Sequence, residues 1–265
     1  MSLPLLVLKV GGRVDPGAGA LSALPLLLGM GGEPPACRVC IVHGGGPEVT
    51  RWMERLNLRI RFKDGLRVTD LPALEVATMV LRGAVSTALV TALAAKGIRA
   101  AGLSGVDGGM VRVRPHPDPE LGLVGEVDAI QPEILEALLA RGIVPLVAPL
   151  ALDSAGTVRN VNGDTLCGAL AGALGATLAV FLTDVPGVLD AQGTPIDSLD
   201  ATVAEALIAA GQIRGGMIPK VRGGLAALAG GARAVCIADG NAPGVLPALL
   251  AGTAGTGTLL VASPR

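Results

Sequence analysis

The sequence predicts an α/β fold, a three-layer αβα sandwich around a mostly parallel central sheet. Two observations lead there. Short, β-rich apolar runs alternate with longer stretches of helical composition, the signature of crossover units. The runs are also mostly apolar, as strands covered on both faces are. In chain order, 3–10 is a strand stopped by Gly11-Gly12, and 38–43 is a strand stopped by Gly44-Gly45-Gly46. Residues 48–56 are helical. In 58–68, Ile60 and Phe62 alternate, Lys63-Asp64-Gly65 follows, and Leu66 and Val68 alternate again. Asp-Gly between alternating apolar residues marks a hairpin. Residues 72–96 form a helix and 98–103 a strand. Residues 110–127 form a second hairpin, with a proline-rich connection at 115–119. Beyond it, helices 133–141, 165–174, 201–210 and 220–230 alternate with strands 144–148, 178–183 and 234–238. The glycine-containing stretch 172–175 is the softest place for a lobe boundary, which divides the chain into 1–175 and 176–265.

The chain has 265 residues, enough for one large core or two packed lobes. It is 51% hydrophobic and 16% charged, with net charge −1, which excludes disorder and gives no electrostatic footprint for nucleic acid or an anionic membrane. The only aromatic residues are Trp52, Phe62 and Phe181, too few for a base-stacking surface. The first residues carry no basic cluster and Lys9 interrupts the apolar stretch, so a signal peptide is not expected. The apolar stretch 21–30 is too short to span a bilayer, and Pro25 breaks it. These features lead to the expectation of a soluble, cytoplasmic protein.

Of the four cysteines, Cys37 and Cys40 form a C-x-x-C. They lie on or beside a strand, where residues three apart face opposite ways, and no second pair completes a zinc set. Small buried hydrophobes are the expectation.

The chemistry concentrates at glycine turns. Lys9 precedes Gly11-Gly12, and Lys220 ends the segment 215–220. His43 opens Gly44-Gly45-Gly46. Two parallel strands deliver the first and third of these to the carboxyl edge of the sheet, where ligands of open sheets bind. Lysines and exposed backbone N–H groups suit phosphoryl transfer, which is mostly positioning and charge neutralisation. Neither a P-loop nor a dinucleotide fingerprint is present. Asp164, after Asn160-Val161-Asn162-Gly163, either caps a helix or holds two lysines. Asp184 follows another buried strand, placed either as a turn aspartate or for a nucleotide. The only histidines are His43 and His116; His43 is expected to hold its glycine turn and His116 to be exposed.

These blocks resemble the amino-acid kinase family, and within it the acetylglutamate kinases. The resemblance runs through 9–12, 43–47, 65–70 (Gly-Leu-Arg-Val-Thr-Asp), 102–105, 160–162, 183–189 and 215–221, in order and over nearly the whole chain. It implies the fold of that family and ATP-dependent phosphorylation of the side-chain carboxylate of N-acetyl-L-glutamate, the second step of the acetylated route to arginine. It implies that Lys9 and Lys220 stabilise the transferring phosphoryl group and that Asp164 orients both. Gly44 and Gly45 would donate N–H groups around the acid's reacting end, and Gly11 would donate another. Arg67 would grip the α-carboxylate, with Asn160 and Asn162 also on the substrate. Gly11, Gly12, Thr183, Asp184, Gly187, Val188, Leu189, Gly216 and Met217 would surround the nucleotide. Magnesium would enter with ATP rather than on a protein site. A carboxylate with a pKa near 4.3 is already ionised, so no general base is needed. The hairpin 58–68 would act as a lid.

Departures from the family pattern are Gly163, where Ala is common, and Ser86-Thr87, where Asn-Lys is usual. Residues 15–32 are short and rich in proline and glycine where relatives place a fuller helix. Arginine-regulated members carry an extra N-terminal helix that builds a hexamer; this chain enters its first strand within a few residues, so a homodimer without that feedback is expected. The alternatives are a kinase for N-acetyl- or carrier-linked aminoadipate or glutamate, and an inactive amino-acid sensor.

Overall fold

The structure is a computed structural model describing residues 3–11 and 18–262. Strand β1 (Leu5–Val10) is followed by a 3₁₀ turn and the one-turn helix α1 (Leu24–Leu27), then β2 (Arg38–His43) and helix α2 (Gly46–Arg55). A small hairpin pairs β3 (Phe62–Lys63) with β4 (Leu66–Arg67). Helix α3 (Leu71–Thr78) continues through a π-helical segment (Met79–Val85) into α4 (Ser86–Ala94), which leads to β5 (Ala100–Ser104). Strands β6 (Val111–Pro115) and β7 (Val124–Ile130) form the second hairpin, followed by α5 (Glu133–Ala140), β8 (Val144–Ala148), β9 (Leu150–Asp153) and β10 (Val158–Val161). Next come α6 (Gly163–Ala173), β11 (Leu178–Thr183), β12 (Ser198–Leu199), α7 (Ala201–Ala209) and α8 (Met217–Ala229). The last elements are β13 (Val235–Asp239), α9 (Val245–Leu250) and β14 (Thr258–Leu260).

The eight-stranded main sheet runs β12-β14-β13-β11-β1-β2-β8-β5, parallel except where β13 meets β14. All six expected strands lie in it, their ends within two residues of the reading. Strands β10, β7, β6 and β9 close into a small barrel. The 110–127 hairpin was expected; its closure with β9 and β10 was not. The Asp64-Gly65 turn has φ of 50° and 79°, the left-handed pair that a tight hairpin needs.

Strand periodicity sorts the core into two layers. Leu5 and Val7 pack on one face of the sheet with Leu166, Leu170 and Val221 of α6 and α8. Leu6, Leu8 and Val10 pack on the other face with Leu24, Leu89 and Leu246 of α1, α4 and α9. With a period of two, Lys9 falls on the same face as Leu5 and Val7, towards α6.

The helix Leu71–Ala94 is long and apolar enough to cross a membrane by length and composition. Sequence reading passed over this. Its apolar residues Leu74, Val76, Val80, Leu81, Leu89 and Leu93 are buried within the protein. Glycine brings it close to the sheet: a Cβ on Gly102 would overlap the Ser86 hydroxyl and meet Val90 at 3.6 Å. Ser86, for which the sequence suggested no role, is a small buried side chain at that contact.

Candidate active site

Lys9 sits near the end of β1, between Val42 of β2 and Phe181 of β11, and is 6% exposed. Its ammonium lies 3.0 Å from Asp164 Oδ1. Asp164 belongs to the first turn of α6. The cap of that helix is Asn162, whose Oδ1 accepts from the N–H groups of Asp164 (2.8 Å) and Thr165 (3.0 Å). The Asp164 carboxylate is thereby left for the lysines. On its other oxygen, Oδ2, Lys220 Nζ lies at 3.3 Å. Lys9 approaches outside hydrogen-bonding angles, so Oδ1 makes no hydrogen bond among the described residues, and the Lys9 pair is ionic rather than directional.

Two ammonium groups thus share one carboxylate in a buried place. Burial pulls the Lys220 amine below its ordinary pKa; Asp164 pushes it back up and Lys9 adds to the lowering. Asp184 is close enough to act on Lys220 electrostatically.

Glycine contacts bring Lys220 and Asp164 together. A Cβ on Gly168 of α6 would overlap the Gly223 carbonyl of α8, and a Cβ on Gly223 would lie 2.6 Å from the Asp164 carbonyl. Farther along, a Cβ on Gly172 would stand 2.9 Å from Gly230 Cα. The two helices therefore touch backbone to backbone, and each carries one partner of the pair in its first turn.

Beside this trio lies a cavity of about 200 Å³. Lys9, Gly44, Gly45, Arg67, Asn160, Asn162 and Asp164, all expected site residues, line it together. Gly45 is required by close packing, because a Cβ there would sit 2.6 Å from Leu81 and 3.2 Å from Val85. The Gly44 N–H, expected to reach substrate, instead donates to the Val10 carbonyl at 2.8 Å. Gly44 is thus part of the strand–turn scaffold. The donors left for an anion are those at the start of α2, where helix geometry leaves N–H groups unpaired. His43 Nδ1 donates to the Gly44 carbonyl (2.8 Å), which agrees with a turn-holding role. Burial is the main cause lowering the His43 pKa, and the charges of Lys9 and Arg82 lower it further, so the ring is neutral at pH 7.

Arg67 is 8% exposed, although it sits on a two-residue strand. Its Nη2 donates to Thr50 Oγ1 (2.6 Å) and the Gly46 carbonyl (3.0 Å), and its Nη1 lies 3.3 Å from Met53 Sδ. The Phe62 ring stacks on the guanidinium at 4.7 Å. Asn160 Nδ2 donates to Thr69 Oγ1 (3.2 Å), and Thr69 Oγ1 donates to the Arg67 carbonyl (2.9 Å). The sequence did not assign Thr50, Met53, Phe62 or Thr69 to the site. Phe62 and Thr69 flank Arg67 within or beside the hairpin, which was the one available signal; Thr50 and Met53 come from another element.

The other expected nucleotide residues are more dispersed. Gly11 lines a neighbouring cavity of about 470 Å³ with His43, Gly44 and Gly45. Gly12 lies outside the described residues. Thr183 ends β11, with Oγ1 3.3 Å from Asp184 Oδ1. Gly187 permits close packing on Thr258, and Val188 donates its N–H to Thr258 Oγ1 (2.9 Å) from a buried position, so that segment is fixed to β14. Leu189 forms an isolated bridge with Pro195. Gly216 and Met217 open α8, one turn before Lys220.

All four cysteines are buried and unpaired, and burial raises the thiols of Cys37 (to about 11), Cys40 (to about 12), Cys236 (to about 12) and Cys167. They pack as apolar side chains.

Residues 4–239 match the model of the amino acid kinase family. An acetylglutamate kinase of Prochlorococcus marinus (strain MIT 9303) is 41% identical over 97% of this chain and 84% of its own length. One from Synechococcus sp. (strain JA-2-3B'a(2-13)) is 44% identical over 85% of this chain and 73% of its own. Among solved structures, smu.665 from Streptococcus mutans UA159 superposes with a TM-score of 0.83 at 26% identity, covering 97% of this chain and 98% of that one. Carbamate kinase from Giardia lamblia shares the fold at 16% identity, with a TM-score of 0.68 over 98% and 99% of the two chains. With a family model spanning both lysines and the aspartate between them, the chain belongs to the amino acid kinase family.

Proposed function

We infer that the protein transfers the γ-phosphoryl group of ATP to the side-chain carboxylate of N-acetyl-L-glutamate, in arginine biosynthesis. The observation that carries this is the convergence of Lys9 and Lys220 on Asp164, beside a cavity whose wall also holds the buried fork of Arg67. The curated relatives named acetylglutamate kinase, 40–44% identical, support the choice of acid.

The chemistry follows from charge. A carboxylate oxygen forms a bond to the γ-phosphorus as the bond from that phosphorus to the β,γ-bridging oxygen breaks, and ADP departs with the electron pair. No proton moves, because the acid is already ionised. The barrier is the approach of two anions. Lys9 and Lys220 neutralise the transferring group, Asp164 fixes their positions, and N–H groups at Gly45 and the start of α2 receive developing charge. Arg67 pairs its planar fork with the α-carboxylate, and Asn160 and Asn162 border the acid. Thr183, Asp184, Gly187, Val188, Leu189, Gly216, Met217 and Gly11 surround the nucleotide, Val188 through packing rather than its bonded N–H. Mg²⁺ would enter with ATP, as part of the substrate.

Residues 1–175 take the acid and form the dimer contact, and residues 176–265 take the nucleotide. The outer edge of β5 and the exposed Leu71 and Met79 suit a second copy. The protein acts in the cytoplasm.

The test is to trap the acyl phosphate as a hydroxamate in the presence of Mg-ATP. N-acetylglutamate should give product, with N-acetyl-aminoadipate and free glutamate far behind. Product from the aminoadipate derivative alone would reassign the substrate.

A further inference from the structure

We propose that Lys63 is a positioning residue for the acid substrate: bound by both Asp118 and Glu120, it clasps the β3–β4 hairpin shut over the substrate cavity. This rests on the reading of Arg67 as the grip on the acid.

The hairpin cannot hold its own shape. Each strand has two residues, and isolated two-stranded hairpins are marginal in water even when longer. Yet it carries Arg67, and its tip reaches the loop before α8, where a Cβ on Gly65 would lie 3.9 Å from the Gly215 carbonyl. Something outside the hairpin must fix it.

At its base, Thr69 donates its N–H to the Leu121 carbonyl (3.0 Å), and Leu123 donates back to the Thr69 carbonyl (2.7 Å). Near the tip, Lys63 Nζ lies 2.6 Å from Asp118 Oδ2 and 2.6 Å from Glu120 Oε2. Both attachments land on one segment, the connection between β6 and β7. That segment is stiff before any clasp forms. Pro115, Pro117 and Pro119 restrict it, Asp118 donates its N–H to His116 Nδ1 (3.1 Å), and Asp118 Oδ1 accepts from the Glu120 N–H (3.0 Å). The hydrogen bond to Asp118, then that to Glu120, raises the Lys63 pKa, so the clasp stays charged throughout the neutral range.

Register converts this contact into a position for Arg67. Lys63 pairs with Leu66, and Phe62 pairs with Arg67. Pinning Nζ therefore sets the height of Leu66 and Arg67 over the cavity, and Phe62 keeps the guanidinium flat. The pairs are partly exposed, with side-chain exposures of 38% for Lys63, 28% for Asp118 and 72% for Glu120. Loss of an exposed pair shifts an equilibrium by roughly two- to fivefold, and salt screens it.

The experiment measures KM for N-acetylglutamate and kcat in Lys63→Gln, in Asp118→Asn/Glu120→Gln and in the triple variant, beside Arg67→Lys. Asn at 118 keeps an acceptor for the turn. Both sets should raise the acid KM about two- to fivefold at low salt, leave kcat within about twofold, and give no further rise when combined. The difference from wild type should close at about 0.5 M salt. Affinity without turnover is read from the single tryptophan, Trp52, next to the Met53 that touches Arg67. An unchanged acid KM in Lys63→Gln while Arg67→Lys raises it would overturn the clasp and leave the acid site standing. An additive triple variant would also overturn it. An unchanged KM in Lys63→Gln and Arg67→Lys alike would remove the acid-site reading as well.

Discussion

Lys220 Nζ lies 3.3 Å from Asp164 Oδ2, although the two belong to different helices and stand 56 positions apart in the chain. Lys9 takes the other oxygen from a strand end. One carboxylate therefore keeps two like charges in a single buried place, where alone they would repel.

Asp164→Asn removes that counter-charge while keeping the shape. The two ammonium groups then face each other unbalanced. Breaking a buried pair of this kind costs on the order of 3 kcal/mol, and kcat should fall by about 10² or more. Lys9→Ala and Lys220→Ala should each lower kcat by a similar factor. Denaturant titration and hydroxamate assays measure both effects; wild-type turnover in all three variants would remove the trio from catalysis.

The alkaline side of the rate profile reports Lys220. The proposed transfer uses its charged form, and burial favours the neutral form, so charge is lost at lower pH than for an ordinary lysine at 10.5. Hence kcat/KM for Mg-ATP should begin to fall below that value. Lys220→Arg stays charged and should lose less activity, relative to its own optimum, as pH rises. The sign for stability is consistent: a depressed lysine makes the unfolded chain bind more protons, so stability rises with pH between the folded pKa and 10.5. A profile flat to pH 10.5 would contradict the expected depression.

Gly223→Ala places a methyl against the Asp164 carbonyl, and nothing flexible can yield there. Overpacking of this kind costs about 1–3 kcal/mol. Because the strain falls on the first turn of α6, kcat should drop together with the melting temperature. Gly142→Ala, where nothing lies within 4 Å of a Cβ but φ is 63°, serves as a control that strains the backbone away from both the site and the crossing. Equal kcat losses in both would separate activity from the crossing.

Arg67→Lys keeps the charge and loses the fork. Thr50, the Gly46 carbonyl and Met53 are arranged around a planar group. The KM for the acid should rise about tenfold or more, with KM for ATP little changed. Steady-state kinetics with each substrate varied in turn decides it.

Six strands of the main sheet were legible because they are short, mostly apolar and cut off by glycine or polar residues. Strands β9, β10, β12 and β14 were not, being two to four residues long and too brief for a periodic signal. The π-helical segment 79–85 left no mark in composition. Lys9, Lys220, Asp164 and Arg67 stood out through their motifs. The cap on α6 did not resolve, because Asn162 and Asp164 are both suited to it, and only backbone geometry selects Asn162. Gly44 shows another limit: a glycine turn advertises open N–H groups, but only the fold reveals that one is bonded to Val10. At Gly163, an alanine Cβ would press to 3.3 Å on Lys9 Cε, a relation invisible without the third dimension.

The backbone-to-backbone crossing of α6 and α8 has a consequence for where the enzyme spends its effort. Contact at two levels, Gly168 with Gly223 and Gly172 with Gly230, sets backbone directly against backbone at both. The spacing of Lys220 from Asp164 is therefore settled when the chain folds. Under the proposed function, an arriving nucleotide would meet an electrostatic cradle already assembled, with none of its binding energy diverted into building one.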